Sequence, residues 1–314
     1  MKNMGLLLLL WCAVAGAQMY PAKPVRIIVA AGPGGGDDFV SRQLAPKLSE
    51  ILGQQFIVEN RPGAGGVIGQ TYVAKSPPDG YTILLAGGSM AGAKYVNAQI
   101  TYDLLRDFTP ISLVESSPFV LVLHPALPTK SVAEFIALAR SKPGKLSFAT
   151  IGAGQIPYWS VVYFNSMAGI EAVEVPYKTP AEALTDIISG RVDYYFTPVV
   201  GAVGNREKLR ALAVTTALRA EMLPDVPTMA EAGLPRYEMP AWRSIMGPAG
   251  MSAETVRILN QAIAKSLAAP DLRERFAKAG SVPMASTPAE LRKRYEDWMA
   301  IFGKIASDAK LQPQ

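Results

Sequence analysis

Val25-Arg26-Ile27-Ile28-Val29-Ala30-Ala31-Gly32-Pro33-Gly34-Gly35-Gly36-Asp37-Asp38-Phe39-Val40 opens the stretch that decides the fold. Val25–Ala30 is a β-branched run that reads as a strand, and Ala31–Asp38 is a glycine-rich turn. From Phe39 onward the apolar residues Val40, Leu44, Leu48, Ile51 and Leu52 recur at three- and four-residue intervals, the pattern of a helix with one buried face. Strand, turn and helix in that order aim free backbone N–H groups, with the positive end of the helix dipole, at whatever sits above the turn. Three consecutive glycines let a ligand approach the backbone without meeting a Cβ. Taken alone, the stretch reads more simply as a tight βα connection with Asp37 or Asp38 as the N-cap. The rest of the chain moves the balance toward an anion site.

Two more units of the same kind follow. Gln55–Glu59 reads as a strand, Asn60–Gly66 as a second glycine-rich turn, and Val67–Lys75 as a helix closed by Pro77-Pro78. After the Asp79-Gly80 turn, Tyr81–Ala86 is a third strand, ending in Gly87-Gly88-Ser89. Successive βα units imply a parallel sheet, and its loops then gather outside the carboxyl ends of the strands, where such sheets bind ligands. The candidate ligand residues on this side are Gly32, Pro33, Gly34, Gly35, Gly36, Asp37 and Asp38, with Gly88 and Ser89.

The rhythm restarts at the strand Phe119–Leu123, which ends at His124-Pro125. Ser131 is placed to cap a helix over Val132–Ser141. Strands are expected at Leu146–Thr150, Ala172–Val175, Val192–Phe196 and Leu212–Thr215, and helices at Trp159–Ala168 and Ala181–Ser189. The chain ends in three helical segments, Ala253–Leu267, Pro270–Ala279 and Pro288–Ile305. A second set of βα units implies a second domain of the same architecture, with Gly152-Ala153-Gly154-Gln155 as its ligand turn and Tyr158 and Tyr195 as further candidates. The expected fold class is α/β: residues 18–122 plus 243–314 in one domain, 123–242 in the other, and a ligand cleft between them. The two crossovers would make a hinge.

The first residues fix the expected compartment. Lys2, the leucine run Leu6–Leu10 and the small-x-small site Ala15-Gly16-Ala17 read as a secretory signal peptide over residues 1–17, too short to span a membrane. A soluble, periplasmic, monomeric protein is expected. Cys12 is the only cysteine and lies within that segment, so disulfides and thiolate chemistry are not expected afterwards. Loss of Lys2 with the leader takes the formal charge from +5 to +4, a mild excess suited to handling anions, and no lysine–arginine run points to nucleic acid.

Catalysis finds little to stand on. The chain has one histidine, His124. Gly87-Gly88-Ser89-Met90-Ala91 comes close to a nucleophile elbow but ends in alanine, and a hydrolase built on Ser89 would have to use His124. The first turn lacks the lysine–serine or lysine–threonine ending of a P-loop and the spacing of a dinucleotide site. Asp37 and Asp38 have no acidic or histidine cluster beside them to complete a metal site. Neither enzyme activity, metal nor cofactor is expected.

Seven stretches in order across the chain carry a family resemblance. They are Pro33–Asp38, Val58–Gly69, Pro78–Thr82, Asp107–Ile111, Val175–Lys178, Leu209–Thr215 and Leu223–Pro235. Together they resemble the tripartite tricarboxylate transporter substrate receptors, also called the Bordetella uptake gene family. The resemblance implies a type II periplasmic-binding-protein fold, a Venus flytrap whose two domains close on a small carboxylate held by backbone amides, hydroxyls and water. It implies as partners the carboxylate and the permease subunits to which the loaded receptor delivers it. A signalling role, with the ligand presented to a membrane-bound kinase, uses the same fold.

Departures from the family pattern at three places bear on the ligand. Ala31 stands where a bulky aromatic is usual, and Gly36-Asp37 where serine and threonine are usual. Tyr158 occupies the usual histidine position, and Thr179 replaces the glycine that follows Val175–Lys178. With Ile156, Pro157, Trp159, Tyr194, Tyr195 and Phe196 nearby in sequence, an aromatic wall is expected, favouring an aromatic or amino-bearing acid over citrate-like polyacids. Asp37 would push the same way by repelling a second negative charge.

Overall fold

The computed structural model describes residues 20–152 and 154–313. The expected leader, residues 1–17, and the candidate Ala153 lie outside the described residues. The first half runs β1 (Val25–Val29), α1 (Gly36–Leu52), β2 (Phe56–Asn60), α2 (Val67–Ala74), β3 (Thr82–Gly87) and β4 (Phe108–Ser117). A second run follows: β5 (Phe119–Leu123), α3 (Val132–Ser141), β6 (Ser147–Thr150), α4 (Ile156–Ala168) and β7 (Val173–Pro176). It continues through α5 (Pro180–Ile188), β8 (Tyr194–Pro198), α6 (Val199–Gly204) and β9 (Arg210–Val214). The chain then returns through β10 (Ala241–Pro248), α7 (Ala253–Ala268), α8 (Pro270–Lys278), β11 (Val282–Pro283) and α9 (Pro288–Asp308).

These elements make two α/β lobes. The first sheet has the order β11-β4-β10-β3-β1-β2 and the second β7-β6-β8-β5-β9. β3, β1 and β2 are parallel, as the βα rhythm requires, and so are β7, β6 and β8. β10 is antiparallel to both β3 and β4 and fills the centre of the first sheet with residues from far along the chain. β4 and β10 carry prolines, serines and lone charges that obscure a strand pattern, and burial between neighbours makes them strands.

The crossovers lie at two prolines. β4 ends at Ser117, Pro118 intervenes, and β5 pairs with β8 and β9 of the second sheet. The break expected after Val122 therefore falls inside a strand of the second lobe. The return, expected at Arg243, comes before Ala241, after Pro240. Proline has no N–H for the ladder, so pairing stops at these two points and the chain changes sheet there.

One face of the first sheet is covered by α1, α7 and α8, which bury Ile27, Val29, Leu44, Leu48, Ile245, Leu259 and Ile263. The other face packs Ile28, Leu84, Trp242, Tyr295 and Trp298. α9 runs beyond that face into the second lobe, where the Phe302 ring lies 4.5 Å from that of Trp159 on α4. Among the described residues no helix is long and apolar enough to cross a membrane.

Candidate functional site

The β1–α1 turn sits at the carboxyl edge of the first sheet. Its helix starts at Gly36, with Gly35 as the N-cap and no side chain capping it. Asp37 and Asp38, expected as possible N-caps, lie in the first helical turn instead. The amides of that turn are left to whatever enters from outside, with the dipole behind them. α4, at the corresponding edge of the second lobe, likewise begins after Gln155 without a side-chain cap. α2, α6 and α8 also lack a side-chain cap, but only α1 and α4 follow the candidate ligand turns; α3, α5, α7 and α9 are capped by Ser131, Thr179, Ser252 and Thr287. Thr179 is thereby accounted for as a helix cap.

Asp38 holds the turn in shape. Its buried carboxylate accepts the Gly34 N–H at 3.0 Å and Arg42 Nε at 2.9 Å. The Arg42 hydrogen bond, then that from Gly34, holds this carboxyl down at about 2. Gly34 has φ of +83°, a conformation that a side chain would strain. Asn60 ties in the neighbouring turn, donating to the Ala31 carbonyl at 3.1 Å and accepting from Arg42.

Gly36 has no room for a Cβ for a reason the sequence conceals: the guanidinium of Arg243, from the middle of β10, occupies that space. Arg243 Nε donates to Asp37 Oδ1 at 2.6 Å and Nη1 to Glu115 Oε1 at 2.5 Å. Glu115, opposite Arg243 on β4, is wholly buried, and its Oε2 has no partner. Burial pushes the Glu115 carboxyl up, against the pull of the guanidinium. Burial also works against the charge on Arg243, but the two carboxylates more than compensate and raise it above its ordinary value. Asp37 is thus answered inside the protein, which removes the reason for expecting it to repel ligand charge or to welcome an amine. Arg243 and Glu115 are the residues sequence reasoning missed. A lone base between Trp242 and Ser244, and a lone acid after Leu113-Val114, are each the sign of a buried charge in need of a partner.

At the end of β3, Gly88 is buried against the Trp242 indole and Ser89 is half-buried. In the second lobe Gly152 and Gly154 have φ of +103° and +87°, and Gly154 lies beside Val96 of the first lobe. The second-lobe turn thus meets the first lobe at Val96, with Gln155 exposed between Gly154 and α4.

The aromatic residues are placed differently. With Pro157 in its first turn, α4 starts three residues earlier than expected, and Tyr158 is in that turn, buried. Its phenol is pushed up by burial. Trp159 is fully enclosed by Gly92 and Phe302. Tyr195 lies wholly in the second-lobe core with Val122 and Ile187, its hydroxyl unpartnered. Tyr194 and Phe196 are equally buried. These side chains build cores, so the expected aromatic wall loses its material. Nor is the hydrolase arrangement assembled. His124 accepts from the Ala126 N–H at the far end of β5, beside Gly190, whereas Ser89 belongs to the other lobe.

Two α/β lobes joined by two crossovers, each with a helix that starts at a glycine turn without a side-chain cap, make the architecture of a two-lobed solute-binding protein. The model of the tripartite tricarboxylate transporter family receptor matches residues 40–311, and the chain belongs to that family. BugT of Bordetella pertussis is 37% identical over 284 residues, covering 89% of this chain and 87% of that protein. Among solved structures, R. palustris Rpa4515 with adipate is 34% identical with a TM-score of 0.81, covering 94% of this chain and 100% of the other. MatC from Rhodopseudomonas palustris with bound malate is 29% identical with a TM-score of 0.77, covering 91% and 100%.

Proposed function

We propose that this chain is a periplasmic receptor that closes on a small carboxylate and delivers it to the permease subunits of a tripartite tricarboxylate-type transporter. The observation that carries the reading is that α1 and α4, one in each lobe, both start at a glycine turn with no side chain capping the N terminus. Free N–H groups and aligned helix dipoles suit a carboxylate, which needs donors to replace its water. Related receptors hold adipate and malate, aliphatic diacids whose two charges call for a donor set at each end of the cleft. The carboxylate candidates are Gly32–Asp38 and Gly88–Ser89 on one side and Gly152–Gln155 on the other. The Asp38 side chain shapes the turn, so that residue offers the ligand its backbone amide alone. Calorimetric titration with adipate, malate, benzoate and citrate tests the reading. Saturable binding of at least one acid, without turnover, is expected, and binding of none overturns it.

A further inference from the structure

Arg243 is held by two carboxylates in a way that leaves part of it unused. Asp37 takes Nε and Glu115 takes Nη1; Nη2 donates to neither. That edge stands where the Cβ of Gly36 would be, beside the exposed backbone of Gly35 and Gly36, and the side chain keeps 19% exposure. A guanidinium is planar, so pinning two of its nitrogens fixes the aim of the third. As a purely structural device the arrangement is poor. Glu115 is wholly enclosed with one oxygen unpartnered, and buried ion pairs add little to stability that apolar packing would not. As a device for presenting a donor beside the α1 turn, it is apt.

We propose that Arg243 is a ligand-binding, specificity-determining residue of the cleft, whose Nη2 edge, presented beside Gly36 by Asp37 and Glu115, takes a carboxylate oxygen together with the first-turn amides of α1. The inference rests on the carboxylate-receptor reading above and narrows it. Charge-assisted donation favours an ionised acid over its amide at this end of the cleft. Asp37 and Glu115 leave only the Nη2 edge of the guanidinium free, so this end of the cleft has a charged donor for one carboxylate and none for a second. The ligand class is therefore an acid with a single carboxylate at the α1 end. Any second one lies at the opposite end, toward Gln155, which disfavours compact polyacids such as citrate.

The test compares wild type, Arg243→Gln, Arg243→Lys and the double variant Arg243→Gln with Glu115→Gln. The probes are adipate, malate and benzoate by calorimetry, with adipamide, malamide and benzamide by competition. Arg243→Lys keeps a cation between the two carboxylates but loses the Nη2 edge, and the double variant removes the buried acid along with its partner. One of the two therefore carries the test where Arg243→Gln does not fold. The expected result is a loss of about ten- to hundredfold in affinity for the acid, with the acid-over-amide ratio falling by the same factor. Equal losses for acid and amide would mark a structural role and overturn the inference while the receptor reading stands. So would an unchanged ratio. A wild-type protein that holds none of the three acids and no citrate overturns the receptor reading and this inference with it, and one that holds citrate alone overturns the inference while the receptor reading stands.

Discussion

Asp38→Asn isolates the charge that shapes the α1 turn. The substitution keeps the size of the side chain and removes the negative charge shared by the Gly34 N–H and Arg42. Lowering the carboxyl from 3.8 to about 2 corresponds to about 2 kcal/mol in favour of the ionised folded form. Arg42 is half-exposed, so solvent screens its share, and about 1 kcal/mol is expected to survive. Asp38→Ala also strips the Gly34 N–H of its acceptor and is expected to cost about 2 kcal/mol. The sign follows from the direction of the shift. A folded-state value below the unfolded one gives stabilisation that is complete above the unfolded value and is lost as pH falls from 3.8 toward about 2. Urea midpoints measured at neutral pH and in steps down to about pH 2 should show wild type ahead of Asp38→Asn, with the gap closing below about pH 4. Equal midpoints at neutral pH, or a gap that persists undiminished through the acid range, would refute the reasoning.

Three further outcomes are expected. Gly35→Ala should leave stability within about 0.5 kcal/mol of wild type, since the residue has φ of −80° and a Cβ there meets only the Gly32 carbonyl, at 3.9 Å. The same methyl crowds the turn proposed to hold the acid, so affinity for a bound acid should fall about tenfold; calorimetry and a thermal melt on one sample check both. Tyr195→Phe removes a buried hydroxyl that has no partner, and should leave the melting temperature level or raised and binding unchanged; weakened binding would place that hydroxyl at the ligand. Trp159→Ala empties a fully buried site between α4 and α9 and should cost about 3–5 kcal/mol in denaturant unfolding, and a loss below about 1 kcal/mol would contradict the packing described for it.

The parts of the molecule legible in the sequence are those set by local pattern. β1, α1, β2, α2 and β3 follow from apolar periodicity and glycine punctuation, and α7, α8 and α9 were expected within three residues of their observed ends. The glycine turns were legible as turns because Gly34, Gly152 and Gly154 take positive φ. What local pattern could not supply was anything settled by distant chain. β10 becomes a strand only through β3 and β4 on either side of it, and the lobe boundary moves with it. The aromatics misled for a related reason. Tyr158, Trp159 and Tyr195 stand next to ligand-turn residues or strand ends in sequence, but helix phase and strand alternation turn them into the cores.

The departures from the family pattern at Gly36 and Asp37 gain a meaning from the same long-range contact. Read one at a time, they look like the loss of two hydroxyl donors and the gain of an unhelpful charge. In the structure they are the two halves of one accommodation. A glycine at 36 clears the space that the Arg243 guanidinium fills, and an aspartate at 37 receives Nε from a strand 206 residues later. Glu115, the register partner of Arg243, completes the grip from the other side. A serine at 36 would have no room while Arg243 is there, and an arginine at 243 without Asp37 would be left with a single buried acid. A change at any one of these four positions is therefore expected to disturb the other three. On the proposal above, Arg243 supplies the turn with a side-chain donor that carries a full charge.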